Sequence, residues 1–99
     1  MYAIVFDLDT QTLSDVYDGN HPNNACAEIR RYLAARGFEW MQGSTYFGND
    51  SVNAVSCVTT VQKLSKKFPW FSPAVRDIRM LRIEEDNDLS IAIEMTDES

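Results

Sequence analysis

A change in the period of apolar positions marks each element of this chain. Tyr2, Ile4, Phe6 and Leu8 alternate with Ala3, Val5, Asp7 and Asp9, the two-residue period of a strand with one bulky face and one small face. The bulky face suits packing against helices, and the small face, which carries the acids, is free to meet a second sheet or a substrate. Residues 13–24 form a polar connection with Gly19, Asn20 and Pro22, ending at Asn23 or Asn24 as a helix cap. Ala25, Ile29, Tyr32 and Leu33 then recur at helical spacing, and Gly37 stands where a helix-ending glycine belongs. Residues 38–47 are aromatic and β-prone, broken at Gly43, and read as one bent strand or two short ones. Phe38, Trp40, Gln42, Ser44 and Tyr46 share a face if the alternation carries through Gly43. A turn at 48–51 lets Asp50 or Ser51 cap a helix running to about Lys67, with Ala54, Val55, Val58, Val61, Leu64 and Phe68 as its buried stripe. Pro69 and Pro73 confine Trp70 and Phe71 to a compact corner that reads as a core plug. Residues 75–84 alternate as a strand, with Arg76, Ile78, Met80 and Arg82 on one side and Asp77, Arg79, Leu81 and Ile83 on the other. Leu89 to Ile93 reads as a short edge strand or one donated to a partner.

The order strand, helix, bent strand or hairpin, helix, strand predicts an α+β sandwich of the split βαβ type, with both helices on one face of an antiparallel sheet. The 99 residues then form a single domain, with an acidic extension over about 84–99. Its other sheet face needs a cover, which a second copy related by a two-fold axis supplies most simply. No apolar run approaches the ~20 residues of a membrane span. The opening apolar run is short, lacks a basic flank and ends in acid, so a cytoplasmic location is expected.

A net charge of −6 argues against polyanion binding until its distribution is considered. Glu84, Glu85, Asp86, Asp88, Glu94, Asp97 and Glu98 lie beyond Arg82, the last base, so the first 83 residues hold the other eight of 15 acids against all nine bases. Cys26 and Cys57 sit singly in helical patterns without metal-ligand or redox spacing and read as buried thiols. The lone histidine, His21, lies in a polar loop, which leaves a Ser-His-Asp triad nothing to draw on.

Asp7 is the position where chemistry is expected, because an acid inside an apolar alternation needs a partner, a metal or a reaction. Asp9 reads equally as the start of a turn. The run FDLDTQTL resembles the opening of haloacid-dehalogenase-type phosphatases, which implies Asp7 as nucleophile and Asp9 as acid/base. That family uses a longer, doubly wound parallel sheet and a later Lys-bearing helix that have no counterpart here. A second resemblance spans nearly the whole chain: MYAIVFDL, Gly37-Phe38-Glu39-Trp40, Gln42-Gly43-Ser44-Thr45-Tyr46, a helix ending before Trp70-Phe71, and Val75-Arg76-Asp77-Ile78-Arg79 with a strand end at Ile83-Glu84. These segments, in this order, resemble the virulence-associated protein D (VapD) family, and the layout is similar to the small CRISPR-associated endonuclease. The resemblance implies a ferredoxin-like fold, a homodimer packed sheet to sheet, and an endoribonuclease that is the toxin of a toxin-antitoxin pair, with a small antitoxin protein as partner.

On that reading Asp7 from each protomer faces its twin across the dyad. Two close carboxylates repel, so either a divalent cation such as Mg²⁺ binds between them or one takes up a proton. Without metal, Asp7 acts as general base toward a ribose 2′-hydroxyl, with Ser44 beside it in the catalytic set. Gln42, Tyr46 and Asp9 are the expected substrate contacts, ordinary strand-end bonding being the plain alternative for Ser44 and Gln42. A rival function is a non-catalytic dimeric interaction protein whose acidic end engages a basic partner, with Asp7 satisfied by an arginine such as Arg79.

Overall fold

The structure, a computed structural model, describes residues 1–19 and 21–97. Asn20 of the polar connection and Glu98 of the acidic end lie outside the described residues. The elements are β1 (Tyr2–Leu8), α1 (Thr10–Val16), α2 (Asn23–Ala34), β2 (Phe38–Gln42), β3 (Thr45–Gly48), α3 (Ala54–Lys67), α4 (Phe71–Ala74), β4 (Val75–Arg82) and α5 (Ser90–Asp97). The strands form one antiparallel sheet in the order β2-β3-β1-β4. This is the α+β arrangement expected of a ferredoxin-like domain, with β1 between β3 and β4 and the hairpin of β2 and β3 turning at Gly43, whose φ is +51°.

Ile4 and Phe6 of β1 point into the helix layer and are almost fully buried with Ile29 and Leu33 of α2, Phe38 of β2, Tyr46 of β3, Leu64 of α3 and Phe71 of α4. The Phe6 ring lies 5.9 Å from Tyr46 in a stacked pair and 5.6 Å from Phe71 edge-on, so the aromatic corner does plug the core. Trp70 is also buried, with Tyr17 edge-on at 5.1 Å and Phe68 at 5.0 Å.

Local capping chemistry moved several boundaries. Thr10–Val16 is a helix rather than connection, because the Asp9 carboxylate accepts hydrogen bonds from the Gln11 amide (3.2 Å) and the Thr12 hydroxyl (2.8 Å) and so starts it. Neither Asn23 nor Asn24 caps α2; Pro22 opens its first turn, and His21 Nδ1 accepts from the Asn23 amide at 3.2 Å. Asn53, not Asp50 or Ser51, caps α3, in a reciprocal box with Ser56. Cys57, Thr60 and Leu64 therefore face inward on α3, while Val55 and Val58 are exposed. Cys57 is buried as expected, but Cys26 is exposed. Residues 90–93 of the Leu89–Ile93 stretch belong to helix α5, whose start is marked by the Asp88 carboxylate accepting from the amide and hydroxyl of Ser90.

The two edge strands each carry a register shift. In β2 it falls between Trp40 and Gln42, so that Trp40 pairs with Tyr46 and Gln42 with Thr45. In β4 it falls at Arg76, so that Asp77 pairs with Asp7 and Val75 with Leu8. Directly opposed residues share a face, so each shift turns a residue outward two positions beyond an inward one.

Candidate active site

The sheet face away from the helices is a graded surface. At one end, Ala3 of β1 is flanked by Phe47 and Leu81; next, Val5 lies between Thr45 and Arg79; at the C-terminal end of β1, Asp7 stands opposite Asp77. The strand delivers Asp7 there because the apolar alternation sends Ile4 and Phe6 inward, leaving Asp7 exposed. The register sets a second acid beside it, on the far side of β1 from the β2–β3 hairpin.

Among the described residues no arginine seals Asp7. Arg79 binds the neighbouring acid instead, its Nε donating to Asp77 at 2.9 Å, and this bond raises the guanidinium pKa above its ordinary value. Ser44 continues the β1–β3 register, its carbonyl accepting from the Phe6 amide at 3.1 Å, which sets it opposite inward-facing Phe6 rather than beside Asp7. Gln42 is exposed and reaches this face through the β2 shift, paired with Thr45. Asp7 and Gln42 thus share one side of the sheet, and Ser44 does not join them there.

The other two candidates are elsewhere. Tyr46 is 3% exposed on the helix side, held against Phe6; its hydroxyl pKa is raised by burial, with Arg30 against it acting the other way. Its position on the strand puts it in the core, so it lines no part of the open face. Asp9 is engaged locally: the Thr12 hydroxyl, foremost, and Arg76 at 3.3 Å hold its carboxyl below the ordinary value. Its amide also donates to the Ala74 carbonyl at 2.7 Å, tying the end of β1 to the segment before β4. Asp9 is the turn-and-cap residue of the plain alternative.

Asp77 was the residue that sequence reasoning did not single out. It stood on the correct side of the β4 alternation, but its position opposite Asp7 depends on long-range register. The two carboxylates are hard oxygen donors of the kind Mg²⁺ takes while keeping several of its waters. Among the described residues no group of three acids, histidines or cysteines is gathered to hold a metal. A cavity of 660 Å³ beside Met1, Gly37, Glu39 and Asn49 includes none of Asp7, Ser44 and Gln42. Among the described residues, no helix is long and apolar enough to cross a membrane.

No family model matches the chain. It is 56% identical over 93 residues to endoribonuclease VapD 2 of Riemerella anatipestifer, covering 94% of this chain and 99% of that protein. The chain belongs to the VapD family. The endoribonuclease VapD homolog of Helicobacter pylori is 47% identical over 95 residues, with 96% of this chain and 98% of that one covered. Endoribonuclease VapD of Dichelobacter nodosus is 42% identical over 93 residues, with 94% and 97% covered. These VapD likenesses run nearly end to end, as the spaced segments implied, whereas the antiparallel order β2-β3-β1-β4 differs from the doubly wound parallel sheet of the dehalogenase-type phosphatases.

Proposed function

We propose that this chain is an endoribonuclease that cleaves RNA at the Asp7 end of its open sheet face, as a homodimer in which two such faces meet. The observation that carries the reading is Asp7 itself: an exposed carboxylate at a strand end, set opposite a second acid and bound by no cation among the described residues. An acid with only a structural job would have the partner that Arg79 gives to Asp77.

In the reaction, Asp7 takes the proton of the ribose 2′-hydroxyl. The 2′-oxygen forms a bond to phosphorus, the bond from phosphorus to the 5′-oxygen breaks, and that oxygen receives a proton from a protonated carboxyl across the dyad or from water. The Gln42 amide donates to a phosphate oxygen and positions the scissile group. A divalent cation such as Mg²⁺ held by Asp7 and Asp77 would supply positive charge against the phosphate. The apolar end of the face, with Phe47 beside Ala3 and Leu81 45% exposed, supports the sheet-to-sheet dimer. The names of the relatives support RNA cleavage. The role as the toxin of a toxin-antitoxin pair, acting in the cytoplasm with a small antitoxin protein as partner, rests on the family resemblance.

Purified chain incubated with RNA of defined sequence, with and without EDTA, tests this. Wild type should produce discrete fragments and Asp7→Asn should not; intact RNA under both conditions with wild type would sink the reading. One observation favours the rival, a non-catalytic dimeric interaction protein: Leu89, Ile91, Ile93 and Met95 in and beside α5 are each about two-thirds exposed. That reading predicts intact RNA together with a stable dimer.

A further inference from the structure

The nine bases fall into two groups. Those of β4 are neutralised: Arg76 by Asp9, Arg79 by Asp77 at 2.9 Å, and Arg82 by Glu84 at 3.5 Å. The other six, Arg30, Arg31 and Arg36 in and just after α2 and Lys63, Lys66 and Lys67 in α3, are in the helix layer and form no ion pair among the described residues. In a chain of net charge −6, every Lys or Arg without an ion pair among the described residues therefore sits on the layer opposite the acidic site.

Helix dipoles favour Arg31, Lys66 and Lys67 near helix ends, but do not account for their gathering with Arg36. The Arg36 guanidinium stacks 3.5 Å from the centre of the Tyr32 ring and donates to the Tyr32 carbonyl, while the Lys67 ammonium lies 5.8 Å from the same ring. Both line a groove of 370 Å³ with Arg31 and Phe68. Its acid, Glu28, already accepts a hydrogen bond from the Tyr17 hydroxyl at 2.9 Å. Arg36 also borders a second depression that holds Lys63 and Thr59, so the two join into one basic track across α2 and α3. Like charges collected on a surface repel one another and create a potential that attracts a polyanion.

We propose that this track binds the phosphodiester backbone of the RNA substrate at nucleotides outside the cut, so that the strand passes from the open sheet face around to the helix layer. The inference rests on the endoribonuclease reading. It makes the enzyme selective for length, because an RNA too short to round the sheet edge reaches Asp7 without the track.

Binding of single-stranded 2′-O-methyl RNA, whose blocked nucleophile prevents cleavage, is measured over a salt series for wild type, Arg31→Gln/Lys67→Gln, Arg31→Gln alone and Arg82→Gln. Both side chains of the double variant are free of hydrogen bonds and ion pairs among the described residues, and a thermal melt checks that it folds. Each lost contact to a single strand flattens the slope of log affinity against log salt by about 0.7, so the double variant should lose about 1.4 and bind roughly tenfold more weakly or worse at 0.1 M salt. Arg31→Gln alone should lose about 0.7, and Arg82→Gln, whose charge is already paired, less than either. A wild type that cleaves RNA while the double variant keeps the full slope would overturn the track and leave the cleavage reading standing. Equal losses for Arg31→Gln and Arg82→Gln would overturn it too. So would a double variant that changes only the sedimentation coefficient, since the track would then hold the acidic 84–97 segment of another copy. A wild type that neither binds nor cuts RNA would remove the endoribonuclease reading itself.

Discussion

Replacing Asp7 with asparagine should remove cleavage and leave the protein slightly more stable. Asp7 and Asp77 are directly opposed on neighbouring strands, and like charges in that relation destabilise by about 0.2–1 kcal/mol. Arg79 offsets part of that repulsion from the Asp77 side, which puts the expected gain in the lower half of the range. For a domain of this size 1 kcal/mol moves the melting temperature by about 4–8 °C, so Asp7→Asn should melt roughly 1–4 °C above wild type in low salt. The gain should vanish at 1 M salt, where the screening length is about 3 Å. Activity should fall by about 10²–10⁴-fold, the contribution of a positioned general base. Thermal melts at two salt concentrations, paired with RNA cleavage on the same samples, read both effects. A variant that melts several degrees lower at either salt, with activity lost only in proportion to its unfolded fraction, would refute the assignment, because it would mean the carboxylate satisfies a structural partner.

Asp9 should behave in the opposite way. Its native pKa is lowered, so its contribution is fully present above the ordinary value of 3.8 and is lost as pH falls through the lowered native value. Asp9→Asn should therefore melt below wild type at pH 7, with the gap closing toward pH 3; a gap independent of pH would show that the ionised cap contributes nothing. The two thiols should separate in a labelling experiment: exposed Cys26 reacts with a thiol reagent at once, while Cys57, 1% exposed and with its pKa raised by burial, reacts only on unfolding. Two fast thiols in native protein would contradict the packing of α3. Light scattering should give about twice 11.3 kDa for wild type and the monomer mass for Leu81→Glu, which places a charge on the open face; an unchanged mass for the variant would locate the dimer contact elsewhere.

Much of this was legible wherever a local rule decided the outcome. The two-residue period of β1 put Ile4 and Phe6 inside and Asp7 outside, and the proline-bounded Trp70-Phe71 corner went to the core because those rings had no charged neighbours to hold them at the surface. Helix α1 was not legible, since Leu13 is its one fully buried residue and its start depends on the Asp9 cap rather than on an apolar stripe. Of the stripe expected on α3, Leu64 is buried and Val61 and Phe68 pack on the core, while Val55 and Val58 are exposed and Cys57 and Thr60 take the inward positions. The site was half readable. The outward facing of Asp7 followed from the β1 alternation and that of Asp77 from the β4 alternation, though their pairing depends on long-range register; Gln42 shares the open face only through the β2 shift, Ser44 falls opposite Phe6, and Tyr46 followed its strand into the core.

Those shifts also bear on what this sheet does not do. β2 and β4 are its two outer strands, and apolar side chains lie along both: Trp40 and Met41 on one, Met80 and Leu81 on the other, each more than two-fifths exposed. Flat edges with such residues are templates for adding further strands and growing into fibrils. Here each edge is interrupted by an irregular step, which increases local twist and takes the unpaired amides and carbonyls out of the straight row that another molecule's strand could match. Restoring a regular edge by deleting Met41 or Arg76 would keep the facing of the remaining residues, and the penalty would fall on colloidal behaviour: separate particles would become building blocks that polymerise.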